Sequence, residues 1–138
     1  MKKIISVFLS VIMLVTSICF AVSANASVNK KSGEYDYTFV SADKIAIIKY
    51  TGSESTVNIP SKIDGFTVTE ISGAFNVMDS LKKVVIPSTV TTISASFEYD
   101  SNLAEVTIPS SVKTIDANSF YKNTALKSIV IPSSVKTL

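Results

Sequence analysis

The stretch LAEVTIPSSVKTI, residues 103–115, occurs three times in this chain with small changes. It returns as LKKVVIPSTVTTI at 81–93 and as LKSIVIPSSVKTL at 126–138. An Ile-Pro pair marks each copy, a fourth pair stands at 59–60, and the steps between pairs are 27, 22 and 23 residues. A period in the twenties predicts a solenoid, in which each unit packs on its neighbours.

Six apolar positions keep the same register in three successive repeats. In the middle repeat they are Val90, Ile93, Phe97, Leu103, Val106 and Ile108. The step from Phe to Leu is six residues in every copy, and only the step from Ile to Phe varies, between four and five. One repeat cannot bury this set alone. We therefore expect the apolar columns to stack, with Phe97 buried between Phe75 and Phe120.

Each Ile-Pro pair ends a short apolar-x-apolar run rich in β-branched residues, which predicts a strand. The predicted strands lie near 57–59, 84–86, 106–108 and 129–131. Proline has no N–H for a ladder and so marks the end of each strand. The Val-x-x-Ile that follows should form the outer wall, and the polar stretch from Phe to Leu a helical turn or tight loop. The predicted fold is a repeat solenoid of short parallel strands, with three full repeats, a truncated fourth and an N-terminal β cap.

The run Ile-Pro-Ser-Ser-Val-Lys-Thr-Ile at 108–115, followed by Phe, Leu and Ile-Pro, resembles the BspA-type leucine-rich repeats of bacterial surface proteins. The entry segment 50–65 is similar to the cap and first repeat of that family. The resemblance covers residues 35–138 and implies a secreted or surface-displayed leucine-rich-repeat solenoid that binds proteins and serves adhesion. The family often has Gly after the Ile and Cys three residues after the Phe. Here these positions hold Ser72, Ser94 and Asp116, and Met78, Asp100 and Asn123.

The N-terminus has the pattern of a secretion signal. Lys2 and Lys3 precede an uncharged run, and Ala24-Asn25-Ala26 forms an A-x-A cleavage site. We expect a signal peptide at 1–26, an N-terminal cap at 27–56 and repeats at 57–138. An uncleaved membrane anchor is the alternative, and either arrangement places the repeats outside the cell. Cys19 lies within the hydrophobic run, and Ser17-Ile18 before it is a poor match to a lipid-attachment site.

Composition narrows the classes of function. Beyond residue 26 the chain has no Cys, His, Trp or Arg, and its 11 lysines balance 11 acids. Without His or Cys, most nucleophile–base pairs and the usual zinc sites are excluded. A neutral, Arg-free chain is a poor nucleic-acid binder. We therefore predict no catalysis, no cofactor and no nucleic-acid partner.

Two small groups of side chains remain as candidates. Glu98 and Asp100 form the closest acidic pair, for which we favour a solvated loop over calcium binding or sugar hydrolysis, since glycosidase carboxylates face each other across a substrate. Tyr99 and Tyr121 follow the core column closely and should reach the surface, where Tyr serves either local packing or an interface. Tyr35, Tyr37, Phe39 and Tyr50 should close the first repeat as a cap.

The candidate binding face is the outward side of the predicted strands. It carries apolar, hydroxyl and charged groups at regular spacing, on Asn58, Lys83, Val85, Glu105, Thr107, Ser128 and Val130. We predict that it binds an extracellular protein or glycan. An inert face in a structural spacer, or in a fragment of a larger surface protein, is the alternative. Leu138 falls in the register of Ile93 and Ile115, so we also expect an open C-terminal end that favours self-association.

Overall fold

The computed structural model describes residues 28–138. The predicted signal peptide and the alternative membrane anchor lie outside the described residues. Within residues 28–138 the chain forms ten strands and no helix. The strands are β1 (Lys30–Ser32), β2 (Tyr35–Phe39), β3 (Lys44–Tyr50), β4 (Thr56–Asn58), β5 (Lys62–Ile63), β6 (Phe66–Ser72), β7 (Lys83–Val85), β8 (Thr92–Ser94), β9 (Glu105–Thr107) and β10 (Thr114–Ile115).

The chain winds between two sheets as a solenoid of about three turns. The first, called here the three-stranded sheet, has the order β4-β7-β9, and both pairings are parallel. The second, called here the large sheet, has the order β1-β2-β3-β6-β8-β10, with β5 paired to β6. From β3 onward the strands alternate between the sheets, apart from the β5–β6 hairpin. The predicted solenoid is confirmed, and the Phe-to-Leu segments are tight turns rather than helical ones.

The strands before the first three prolines begin and end one residue earlier than predicted. The β4 strand ends at Asn58, yet the Ile59 N–H still donates to the Val85 carbonyl at 3.0 Å. The Ile86 N–H bonds the Thr107 carbonyl in the same way, at 3.2 Å. The next residue in each case is Pro, which has no N–H, so the ladder stops there.

The outer wall predicted from Val-x-x-Ile is itself part of a sheet. Strands β6, β8 and β10 pair in parallel, and Ile71, Ile93 and Ile115 lie in one register row. All three isoleucines are buried, and their neighbours Thr92 and Thr114 are half-buried. The core therefore lies between two sheets, each of which contributes a column of β-branched side chains.

The strand predicted near 129–131 does not form. No strand of the described residues pairs with β9 on its far side. The fourth coil is held elsewhere, by the Ala125 N–H on the Ser101 carbonyl at 3.2 Å and the Lys136 N–H on the Lys113 carbonyl at 2.8 Å. These bonds anchor the coil at its turn and on the large sheet, where Thr137 bridges Thr114. The segment between these anchors stays out of ladder register.

A column of stacked aromatic rings fills the middle of the solenoid. Tyr50 stacks on Phe75 at 5.0 Å between ring centroids, Phe75 on Phe97 at 5.2 Å, and Phe97 on Phe120 at 5.6 Å. Phe75 and Phe97 are fully buried, and Phe120 is half-buried. The predicted position of Phe97 between its two neighbours is confirmed. Tyr50 occupies the same column one coil earlier, so the column extends beyond the repeated motif.

Strands β1 to β3 form an antiparallel meander at the N-terminal end of the large sheet. The buried Tyr37 ring lies in this meander, and its hydroxyl donates to Asp64 Oδ2 in the β5–β6 turn at 2.9 Å. The Ser32 hydroxyl donates to the other carboxylate oxygen of Asp64 at 2.6 Å. Gly52 passes so close to the Tyr50 hydroxyl that a Cβ there would collide with it. The meander is thus fastened to the first coil by the side-chain hydrogen bonds to Asp64.

We predict that Phe97→Ala lowers the free energy of unfolding by about 3–5 kcal/mol, because a fully buried ring is lost between two others. Phe120→Ala is the matched control and should cost clearly less, because one side of that ring is already partly exposed. Chemical denaturation monitored by circular dichroism measures both. Equal losses, or an unchanged midpoint for Phe97→Ala, would contradict the stacked column.

Candidate functional site

Two rows of side chains stand on the outer face of the three-stranded sheet. Parallel register aligns Thr56 with Lys83 and Glu105, and it aligns Asn58 with Val85 and Thr107. Side chains alternate across a strand, so the valines between these rows, Val57, Val84 and Val106, point to the core. Five of the seven predicted face residues, namely Asn58, Lys83, Val85, Glu105 and Thr107, therefore share one surface.

The charged row is internally paired. The Lys83 ammonium lies 2.7 Å from the Glu105 carboxylate, and both side chains are about half exposed. Exposed pairs of this kind contribute at most about 1 kcal/mol to stability. The pair presents both signs of charge next to the partly exposed, apolar Val85.

The other two predicted face residues lie outside the sheet. Ser128 and Val130 belong to the segment that does not join β9, and Val130 is 81% exposed. Their position follows from the same hydrogen bonds that hold the fourth coil at Ala125 and Lys136. They therefore lack the fixed spacing that a strand gives the other five.

The turn edge from Phe to Leu carries a second group of exposed side chains. Val77, Tyr99 and Lys122 each stand two residues after the core Phe and have φ of 60°, 61° and 60°. This left-handed conformation is uncommon for residues other than Gly, Asn and Asp. The turn imposes it, and the three side chains point outward as a result. Tyr99 and Tyr121 are 46% and 47% exposed, so the prediction that they reach the surface is confirmed.

The acidic pair on this turn does not form a solvated loop. Asp100 is fully buried, which corrects the expectation from sequence, while Glu98 is half-buried. Asp100 Oδ1 accepts the Met78 N–H at 2.6 Å, and the Asp100 N–H donates to Asn123 Oδ1 at 3.0 Å. These three residues occupy the position where the family often has Cys. In this chain the position forms a polar ladder from coil to coil.

The ladder leaves polar atoms without partners. Asp100 Oδ2 and Asn123 Nδ2 are buried and make no hydrogen bond. Burial raises the pKa of Asp100 to about 6 from an ordinary 3.8, against the opposing Met78 N–H, and the nearby Asp79 raises it further. The carboxyl is thus held in a place that disfavours its charged form. A group perturbed in this way, away from any cleft, indicates a structural rather than a catalytic role.

The aromatic cap carries further perturbed groups. Burial raises the pKa of Tyr37 to about 12, helped by its hydrogen bond to Asp64. Burial and the Glu34 carboxylate raise the pKa of Tyr50 as well. The hydrogen bonds from Ser32 and Tyr37 lower the pKa of the exposed Asp64 carboxyl. These shifts accompany contacts that fasten the cap, and none converges on a shared pocket.

Residues 28–138 also bear on metal binding and on membrane insertion. No group of three or more His, Cys, Asp or Glu side chains in this range is arranged to hold a metal ion. No helix of the same residues has the length and apolar character needed to cross a membrane.

We predict that Asp100→Asn stabilises the protein at neutral pH. The amide oxygen still accepts the Met78 N–H, and no charge is buried. The pKa of Asp100 is higher in the folded protein than in the unfolded chain. Its ionisation therefore does not reduce the free energy of unfolding below about pH 4, where the carboxyl is protonated in both states. The reduction grows as the pH rises and levels off once Asp100 is also ionised in the folded protein, near pH 6. The cost above that pH has a ceiling of about 3 kcal/mol.

Chemical denaturation of the wild type and of Asp100→Asn from pH 4 to pH 8 measures this effect. The two should be equally stable near pH 4, and Asp100→Asn should be the more stable from pH 6 upward. The other carboxylates are common to both proteins, so their titration cancels in the difference, apart from that of Asp79, which interacts with Asp100. A constant difference at every pH would contradict the assignment of the buried charge.

Solved structures of leucine-rich-repeat proteins are similar to this chain. A T. pallidum leucine-rich-repeat protein shares 32% identity with a TM-score of 0.72, over 78% of this chain and 52% of its own. A leucine-rich cell surface protein from Faecalibacterium prausnitzii shares 29% identity with a TM-score of 0.69, over 82% of this chain and 33% of its own. A leucine-rich-repeat protein from Bacteroides capillosus shares 25% identity with a TM-score of 0.72, over 81% of this chain and 88% of its own.

This chain therefore spans about half of the T. pallidum protein and a third of the F. prausnitzii protein. A comparison with curated proteins finds no match. The model of the BspA type leucine-rich-repeat region matches six copies over residues 49–138. The chain belongs to the BspA-type leucine-rich-repeat family.

Proposed function

We propose that this protein is a secreted or cell-surface module that binds an extracellular protein or matrix component and carries out no catalysis. The observation that carries the proposal is the outer face of the three-stranded sheet, where two registered rows present Val85 among polar and charged groups. Family membership and the surface protein of F. prausnitzii support the extracellular location.

The size of this face sets the expected affinity. Its two rows hold six residues, whereas a stable interface uses about 20–30 residues on each side. A single contact through this face should therefore be weak, micromolar or weaker. Repeated display on a cell surface would raise the overall strength by avidity, without new contacts.

Val85 is the centre of the face and the position to change. Val85→Glu introduces an unpaired charge among the outward side chains and leaves the buried Val84 in place, so it should abolish capture of the partner without unfolding the protein. Val40→Glu is the matched control, because Val40 is an exposed valine on the loop between β2 and β3.

A pull-down from extracellular matrix extract, with the protein coupled densely to beads so that avidity retains weakly bound partners, compares the wild type with both variants by mass spectrometry. We expect a set of proteins retained by the wild type and by Val40→Glu and lost with Val85→Glu. Retention of the same proteins by all three would place binding elsewhere on the molecule. No retained protein at all would favour the spacer alternative.

A further inference from the structure

Two exposed tyrosines meet on the turn edge, away from the three-stranded face. The rings of Tyr99 and Tyr121 pack edge to face, with their centroids 5.5 Å apart. The Lys122 ammonium lies 5.1 Å from the first centroid and 5.4 Å from the second. The core does not require these rings, since Phe75, Phe97 and Phe120 already fill the column. Tyr99, Tyr121 and Lys122 are called here the tyrosine edge.

The backbone beneath the tyrosine edge is hydrogen-bonded from coil to coil. The Tyr99 N–H donates to the Tyr121 carbonyl at 2.8 Å, and the Val77 N–H donates to the Glu98 carbonyl at 2.9 Å. The buried Asp100 directly after Tyr99 links the same turn to the coils on both sides. The backbone positions that carry the two rings are therefore fixed relative to each other before any ligand arrives, which lowers the entropic cost of binding.

Lys122 is the charged member of the tyrosine edge, and the half-buried Glu98 and the buried Asp100 flank Tyr99 in the chain. Among residues 28–138, Lys83 and Glu105 form an ion pair and Lys122 forms none. No carboxylate of these residues therefore lies within ion-pair distance of Lys122. The ammonium lies over the two rings, a contact worth about 0.5–1 kcal/mol at exposed sites, and it can still accept an anion from solvent. A fitting ligand has an apolar face for the rings and a negative charge beside it.

We propose that the tyrosine edge binds an acidic polysaccharide, one that carries uronic acid residues in a linear chain. The C–H face of a pyranose ring stacks on a tyrosine, and its carboxylate reaches the Lys122 ammonium. Because the two rings are perpendicular, one pyranose stacks on one ring while the other ring borders it. This site is separate from the face assigned to protein binding and does not depend on it.

An acidic peptide fits the tyrosine edge less well. An extended peptide gains its affinity largely from main-chain hydrogen bonds to an open strand edge. Here the N–H groups of Val77 and Tyr99 are already bonded to the next coil. A sugar ring needs only the exposed ring faces and the cation, both of which the edge provides.

Isothermal titration calorimetry of the purified protein with tetragalacturonate tests the proposal. Its methyl ester is the neutral control ligand, and poly-L-glutamate is the acidic peptide control. Tyr121→Ser and Tyr99→Asn should each weaken binding about tenfold, as loss of a stacking ring does in other recognition sites. Asn suits the left-handed backbone at residue 99. Lys122→Gln should remove the preference for the acid over the ester, and Lys127→Gln, on another exposed lysine, should leave it unchanged.

Thermal melts establish that each variant is folded, and NMR of the tyrosine ring protons shows where the sugar binds. We expect shifts confined to Tyr99 and Tyr121 of the five tyrosines. Absence of binding to tetragalacturonate, equal binding by Tyr121→Ser, or stronger binding of poly-L-glutamate would each overturn the proposal. Because Val85→Glu lies on the other face, it should leave sugar binding unchanged.

Discussion

The stacked aromatic column is the constraint on which the rest of the structure depends. Each ring from Tyr50 to Phe120 lies about one strand spacing from the next, so every coil must rise by the same amount. Fixed rise brings the strands of both sheets into parallel register. The same register aligns the outward rows of the three-stranded sheet and sets Tyr99 beside Tyr121. Both proposed surfaces are therefore consequences of core packing.

The variable step between Ile and Phe shows how the column tolerates change. In the two repeats where Phe follows Ile by four residues, the second residue after the Ile has a left-handed backbone. These residues are Gly73 and Ala95. The repeat with five residues places it at Asn118 instead. Asn adopts this conformation more readily than most residues. The extra residue is absorbed in the turn, and Phe120 still stacks on Phe97 with an interplanar angle of 3°.

The sequence predicted the features that depend on apolar periodicity. It did not predict features that backbone geometry sets regardless of residue type. The Val-x-Ile strands and Phe97 were predictable because buried β-branched and aromatic residues repeat in register. The second sheet was missed because Val-x-x-Ile breaks the period of two, although Thr92-Ile93-Ser94 does alternate. Asp100 was expected in solvent because carboxylates are rarely buried. Its one signal was its register with the family's Cys position. Val and Lys have no conformational preference for a left-handed backbone, so the sequence could not predict it at Val77 and Lys122. The turn imposes this conformation on both.

The buried Asp100 and the exposed tyrosines beside it belong to one turn, and their roles differ in kind. A carboxyl that is costly to bury persists where it satisfies backbone groups that no apolar side chain could, and here it accepts the Met78 N–H. Asn123 repeats the arrangement by accepting the Asp100 N–H. Each coil thus fixes the turn of the coil before it, although Asp100 Oδ2 remains unpaired. A turn held in this way can expose two large rings without letting them collapse onto the core, because the hydrogen bonds between coils would have to break before the backbone that carries them moved inward.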